Sequence, residues 1–346
     1  MSHSTVPRSK AEASMPVKTP VVSDDATDPL AGGKRGSGKL SLRLRFRRDR
    51  LLILMTLPAV VLLLVFNYLP ILGNIVAFQD YDPYISDNGI VSMLHSPFVG
   101  LENFQQIFED SAFWNAVENT LVLFFVQLLL FFPIPILFAL LINSVIRPRV
   151  RAVAQAVLYL PHFFSWVLVI AVFQQMFGGA GMLSQLLRQN GYDGLNIMTN
   201  PDTFPFLLTA QSVWKDAGWG IIVFLAALAS VSPDLYEAAA MDGAGRWRRM
   251  WHVTLPALRP VIALLLVLRV GDALTVGFEQ ILLQRDAVGP GAAEVLDTFV
   301  WWNGVRNQNF GYAAAAGLIK GVVSIGLVLA ANKVAHLMGE QGVYKK

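Results

Sequence analysis

The sequence predicts an all-α integral membrane protein with six membrane-crossing helices. Three observations carry that prediction. Of the 346 residues 54% are hydrophobic and only 15% charged, against about 25% charged in soluble domains. The apolar residues gather into six runs, each near the ~20 residues that a bilayer core requires at helical rise. Lysine and arginine alternate between rich and poor connections, the bias that sets the orientation of multi-span proteins.

The segments follow in order. Residues 1–50 are expected to form a disordered basic cytoplasmic tail. Residues 1–40 are rich in Ser, Pro, Lys, Asp and Gly, and such a segment buries too little apolar surface to offset its ordering entropy. No apolar core near the N-terminus marks a signal peptide. Arg43, Arg45, Arg47, Arg48 and Arg50 then stand directly before the first apolar run. Residues 51–346 make the transmembrane domain, with spans expected near 51–78, 116–143, 152–176, 206–231, 259–283 and 312–336. Pro58 and Pro70 fall in the first, Pro133 and Pro135 in the second, Pro161 in the third. Such prolines are tolerated where neighbours or water satisfy the freed carbonyls. A bundle around a cavity is therefore expected rather than a stack of straight rods.

The first connection, 79–115, has no Lys or Arg but carries Asp80, Asp82, Asp87, Glu102, Glu109 and Asp110. The second has Arg147, Arg149 and Arg151, the third only Arg188. The fourth has Arg246, Arg248 and Arg249, the fifth Arg285 and Arg306, and the chain ends Lys345-Lys346. This alternation places both termini and connections two and four in the cytoplasm of a multi-pass cell-membrane protein.

Connection four, 232–258, is the most telling stretch. Ser232 suits a helix N-cap, Pro233 the first helical position and Asp234 the positive end of the dipole. Good helix formers follow to Asp242, and Gly243 and Gly245 can turn the chain. A second short helix is expected from Arg246 through Trp247, Met250 and Trp251. Small Ala238 and Ala239 admit a close approach by another backbone, and Glu237 offers a charge. Residue types alone fit two readings equally: a helix offered to a partner protein, or an amphipathic interfacial loop whose arginines hold lipid phosphate.

The spacing decides between them. Glu237-Ala238-Ala239, then Asp242-Gly243-Ala244, Trp247, Val253 and Leu255-Pro256 resembles the signature loop of binding-protein-dependent ABC importer permeases. Phe98-Val99-Gly100-Leu101-Glu102-Asn103-Phe104, Phe113-Trp114, Asn119-Thr120, Leu160-Pro161, Trp214 and Leu225-Ala226-Ala227-Leu228 resemble segments of its carbohydrate-type branch. Val253 stands where Ile is usual and Met250 where Phe is common; both stay apolar. The resemblance covers about residues 51–340. It implies a type I importer permease fold whose coupling helix receives the push of an ATPase. It further implies a second homologous permease subunit, two ATP-binding subunits and an extracellular solute-binding protein. ATP would be used by the partner, and this chain would need no cofactor. Gly271-Asp272-Ala273-Leu274 and Gly277-Phe278-Glu279-Gln280 are similar to the oligosaccharide importers.

A charge at mid-span costs about 2.5–3.5 kcal/mol on insertion scales, so each one needs a partner or water. Arg269 and Asp272 are three apart and can pair on one helix face. Asp272 and Glu279, seven apart, fall on nearly one face. With Phe278 and Gln280 beside them they can line a path for a hydroxylated solute. The alternative is a structural ion pair, with Lys320 of span six as a further partner. Lys215 and Asp216 are expected to snorkel to the outer interface, and Trp166, Trp219, Trp301 and Trp302 to anchor span ends.

Several chemistries lack candidates. There is no cysteine, which removes disulfides, thiolate catalysis and Cys-ligated metals. Gly33 to Lys39 nearly fits a phosphate loop, but Leu40 replaces the Mg²⁺-binding Ser or Thr. The histidines show no metal-ligand spacing. The basic run before span one serves topology, so no nucleic acid is expected as partner; the lipid bilayer is. The sequence thus predicts a transport subunit without an ATPase site of its own. The alternative is a self-sufficient proton-coupled secondary transporter using Asp272 and Glu279.

Overall fold

The computed structural model describes residues 50–337. The expected tail therefore lies outside the described residues apart from Arg50, as do the Gly33–Lys39 stretch and Lys345-Lys346. Among the described residues the structure is helical, with one isolated antiparallel bridge between Gln79 and Phe98. Six helical stretches are long and apolar enough to cross a membrane: Arg50–Phe78, Ser111–Asn143, Trp166–Gln189, Phe204–Ala229, Arg246–Gly271 and Phe310–Leu337. Number and order agree with the sequence prediction, while the third and fifth stretches depart from their expected bounds.

The chain forms two units, up to Leu63 and from Leu64 onward. In the first, helix α1 (Arg50–Leu63) is a run of Leu, Ile, Met and Val with Pro58 in its interior.

The second unit opens with helical turns through Phe78, and Pro70 sits in a first turn where no amide donor is required. α2 (Glu102–Glu109) is held to this stretch by Asn103, whose buried amide donates to the carbonyls of Ala77 at 3.0 Å and Gln79 at 3.1 Å. Asp110 caps α3 (Ser111–Val126) by accepting from the Ala112 N–H at 2.8 Å. A π-helical turn, Gln127–Phe131, carries α3 into α4 (Pro133–Asn143). The wide turn accommodates Pro133, whose missing donor would break a regular ladder.

The third expected span is interrupted. α5 (Pro148–Tyr159) tightens to a 3₁₀ turn at Leu160–Phe163, Phe164 is extended, and Ser165 caps a new helix, α6 (Trp166–Phe177). Pro161 supplies no donor and Ser165 restarts the ladder. The apolar stretch then runs on through α7 (Met182–Gln189), so it lies later in the chain than 152–176.

α8 (Phe204–Ala229) is the most buried of the six stretches, with 39% of its apolar window inside the protein. It therefore organises the core. Leu123, Phe124, Phe204, Leu208 and Ile281 pack around its first half, and Ala139, Ile142, Ile221, Phe224 and Leu258 around its second. A further cluster of Ile107, Phe113, Phe299 and Tyr312 joins α2 and α3 to α12 (Leu296–Trp301) and α13 (Phe310–Leu337). Phe125, Leu129, Leu137 and Leu141 remain exposed on α3, α4 and the turn between them, as suits helices whose outer faces meet lipid tails.

The fifth span begins earlier and ends earlier than 259–283. α9 (Pro233–Met241) precedes it, and α10 (Leu255–Gly271) is its main helix. After Gly271 the chain turns, with the Thr275 N–H donating to the Asp272 carbonyl at 2.9 Å. Gly277 adopts φ +54°, and the short α11 (Phe278–Leu282) follows. A left-handed residue cannot continue a helix, so 278–283 is no part of the span.

Candidate functional site

Connection four is one capped helix set on the base of the fifth span. Ser232 accepts from the Asp234 N–H at 3.3 Å, and Pro233 takes the first helical position. α9 buries none of its residues; Glu237, Ala238 and Asp242 are exposed. Its end is closed by two bonds, Gly243 N–H to the Ala240 carbonyl at 3.0 Å and Ala244 N–H to the Ala239 carbonyl at 2.9 Å. Gly243 sits at φ +73°. This paired closure around a left-handed residue is the helix ending that glycine meets without strain. The glycine of the predicted loop thus has a conformational reason for its identity.

The second short helix expected at Arg246 is not separate. Arg246–Arg249 passes through a π-helical turn, Met250–Thr254, directly into α10, where Pro256 lies in the first turn and Leu255 is half-buried. The expected loop 232–258 is therefore α9, one tight turn and the first three turns of a span. The Tyr236 hydroxyl bonds Thr254 Oγ1 at 3.3 Å and ties α9 to that base. Trp247, 70% exposed, meets Trp251 edge-on with ring centroids 6.1 Å apart.

The residues expected to line a path are dispersed. Because the helix ends at Gly271, Asp272 and Glu279 do not share a helix face. Asp272 caps α10 and is exposed; Phe278 and Glu279 are exposed on α11. Of the two readings open for Arg269, the ion pair with Asp272 does not form among the described residues. Arg269 donates to Gln127 in the π-helical turn between α3 and α4 and lies 6.0 Å from the Phe131 ring centre. Gln280 is buried at 1% exposure. Its amide donates to Gln211 Oε1 at 2.7 Å and the Leu208 carbonyl at 2.9 Å, and Gln284 exchanges two 3.1 Å bonds with Gln211. This amide cluster bolts α11 to α8, so Gln280 positions the segment that carries Glu279. Lys320 is taken up by Asp297 of α12, a partner the sequence reading did not name.

Lys215 departs from the expected snorkelling. It is buried, donates to the His162 carbonyl at 2.8 Å, and lies 5.5 Å from the Trp166 ring centre. The break at 160–165 frees that carbonyl from a helix ladder, and the ammonium satisfies it. Asp216 holds His162 Nδ1 at 2.9 Å, and Trp219 stacks on the imidazole at 4.9 Å. Trp166 and Trp219 thus serve this polar node. Arg285 and Glu294, also missed, form a buried pair joined through Arg285 Nε at 2.7 Å, with Trp302 3.8 Å above the guanidinium. Among the described residues no group of His, Asp and Glu could hold a metal ion.

Known proteins share this architecture. A family model for the "binding-protein-dependent transport system inner membrane component" matches residues 131–336. Over 329 residues the chain is 40% identical to the polygalacturonan/rhamnogalacturonan transport system permease protein YteP of Bacillus subtilis (strain 168), covering 95% of this chain and 100% of the relative. It is 30% identical over 292 residues to the arabinooligosaccharides transport system permease protein AraP of the same organism, covering 84% and 90%. A chain in the crystal structure of a bacterial alginate ABC transporter, in complex with alginate pentasaccharide-bound periplasmic protein, superimposes with a TM-score of 0.79 at 36% identity, covering 87% of this chain and 99% of that one. With six apolar stretches and a capped helix before the fifth, this multi-pass membrane protein belongs to the family of binding-protein-dependent transport system inner membrane components.

Proposed function

We propose that this chain is the permease subunit of an ABC importer for a sugar or oligosaccharide, that it forms half of the solute path, and that α9 couples this path to ATP hydrolysis by a separate subunit. The observation that carries the reading is mechanical. α9 buries none of its residues, yet it is closed by the Gly243 turn onto a helical stretch that runs unbroken from Arg246 to Gly271. A push on α9 is thereby delivered to the fifth span. The rest of the machine would be a second permease, two ATP-binding subunits and an external solute-binding protein. Both termini and connections two and four face the cytoplasm in this reading. The carbohydrate substrate is supported by the relatives, whose names specify polygalacturonan, rhamnogalacturonan, arabinooligosaccharides and alginate. Asp272, Phe278 and Glu279 stay as candidates for the path because all three are exposed beyond the end of α10.

Gly243→Pro tests the coupling. Proline fixes φ near −65° and has no N–H, so it can meet neither the +73° conformation nor the bond to the Ala240 carbonyl. In proteoliposomes holding the assembled complex, solute uptake should fall about tenfold or more, the scale of a 1–3 kcal/mol backbone strain, while ATP hydrolysis continues. Wild-type uptake by an assembled Gly243→Pro complex would refute the coupling role. Uptake by the lone chain, driven by a proton gradient, would instead establish the secondary transporter.

A further inference from the structure

A cavity of about 350 Å³ opens between the end of α4 and the base of the fifth span. Its polar wall is made by Arg246, Arg249, Tyr236, Thr254, Asn143 and Ser144, and no carboxylate lines it. Arg249 is the informative member. Its Nε is buried and donates to nothing, although an unpaired buried donor is costly. Neither Arg246 nor Arg249 has an ion pair among the described residues. The hydroxyls are committed elsewhere: Tyr236 bonds Thr254, Thr254 donates to the Arg249 carbonyl at 3.4 Å, and Ser144 to the Leu140 carbonyl at 2.8 Å. Two guanidinium groups are left facing one concave space.

An anion with several oxygens on one centre would satisfy them, because the guanidinium fork matches two phosphate oxygens at once. We infer that this cavity is a site for a phosphate-bearing anion, supplied by the headgroup of an anionic phospholipid. Position favours the lipid. The cavity lies where span two ends and span five begins, and basic pockets between spans on the cytoplasmic side receive such headgroups. Leu140 of α4 lines the cavity, and Leu137 and Leu141 of the same helix, each 54% exposed, offer apolar surface to an acyl chain. A bound headgroup bridges connection two to α9 and the base of the fifth span, bracing the segment assigned to coupling. This inference rests on the inward placement of connection four proposed above.

Native mass spectrometry of the full-length chain, titrated separately with phosphatidylglycerol, phosphatidylcholine and inorganic phosphate, tests the site. One phosphatidylglycerol should stay bound where phosphatidylcholine does not. Arg249→Gln and Arg246→Gln should each weaken it about tenfold, the loss of one charge-assisted contact. Arg248→Gln removes the same charge from an exposed position outside the cavity and should leave binding unchanged. Inorganic phosphate binding with the same Arg249 dependence would keep the anion site and give it a soluble ligand. Equal weakening by all three substitutions, or no preference for the anionic lipid together with no phosphate binding, would overturn the proposal. Equal melting temperatures of the variants exclude misfolding as the cause. The chain contains no cysteine, so Met241→Cys, at a position 89% exposed, separates the two readings. Labelling from outside intact cells would defeat the placement itself, whereas labelling from inside with no bound lipid would defeat only the site.

Discussion

Arg285 illustrates how one side chain in this protein can hold a large share of local stability. Its guanidinium and the Glu294 carboxylate are 9% and 8% exposed, and Glu294 Oε1 already lacks a hydrogen-bond partner. Removing one charge strands the other. Arg285→Leu should therefore cost about 3–5 kcal/mol, whereas replacing both partners by leucine should recover most of that loss. Thermal unfolding of the purified chain in detergent measures both, and equal losses for the single and double variants would contradict this account. The pair was not legible in the sequence. Its members stand nine positions apart within a connection that has no regular period, so nothing in the spacing brings them together. The same holds for Asp297 and Lys320, which belong to different elements. Lys215 was misread for a related cause: its partner is a main-chain carbonyl, which no pattern of side chains announces.

At the scale of elements, the apolar runs could be read directly, because membrane insertion depends on composition and length rather than on particular contacts. The closure of α9 was equally readable, since Ser232, Pro233 and Gly243 act on their immediate neighbours. The breaks were harder. Pro58 stays inside α1 while Pro161 interrupts the third expected span, and the difference lies in the surroundings. His162 exchanges contacts with α8 through Lys215, Asp216 and Trp219, which stabilises the interruption. Gly218 on α8 makes this approach possible, as a Cβ there would stand 2.1 Å from the Leu158 carbonyl oxygen. Gly218→Ala should separate the two helices at a cost of about 1–3 kcal/mol, the range of overpacked cores. Gly326→Ala, in α13 with nothing within 4 Å of the added carbon, should not destabilise, and in a helix interior the exchange is favourable by about 1 kcal/mol. Comparison of the two melting temperatures checks the prediction, and a Gly218→Ala protein as stable as Gly326→Ala would contradict the close-packing argument.

Across the whole molecule, the charge pattern that orients the chain is kept among the exposed arginines. The fifth connection carries two arginines, but Arg285 is neutralised by Glu294 in the protein interior. That leaves the exposed Arg306 in the fifth connection and the exposed Arg188 in the third. The second and fourth connections together expose Arg147, Arg149, Arg246 and Arg248. Exposed positive charge is therefore denser on connections two and four, the side that the orientation proposed above places in the cytoplasm. Single cysteines in this cysteine-free chain turn that argument into an accessibility map. Tyr84, Tyr192 and Ile146 are 74%, 68% and 76% exposed, so each can react without unfolding. A membrane-impermeant maleimide added to intact cells should label Tyr84→Cys and Tyr192→Cys within minutes and leave Ile146→Cys unmodified until the membrane is permeabilised. The opposite pattern would invert the bundle, placing α9 outside, beyond reach of any cytoplasmic ATPase. Labelling of Tyr84→Cys alone would mean that the stretch Trp166–Gln189 does not complete a crossing, and connection four would then lie on the wrong side for coupling even with the first two spans correctly oriented.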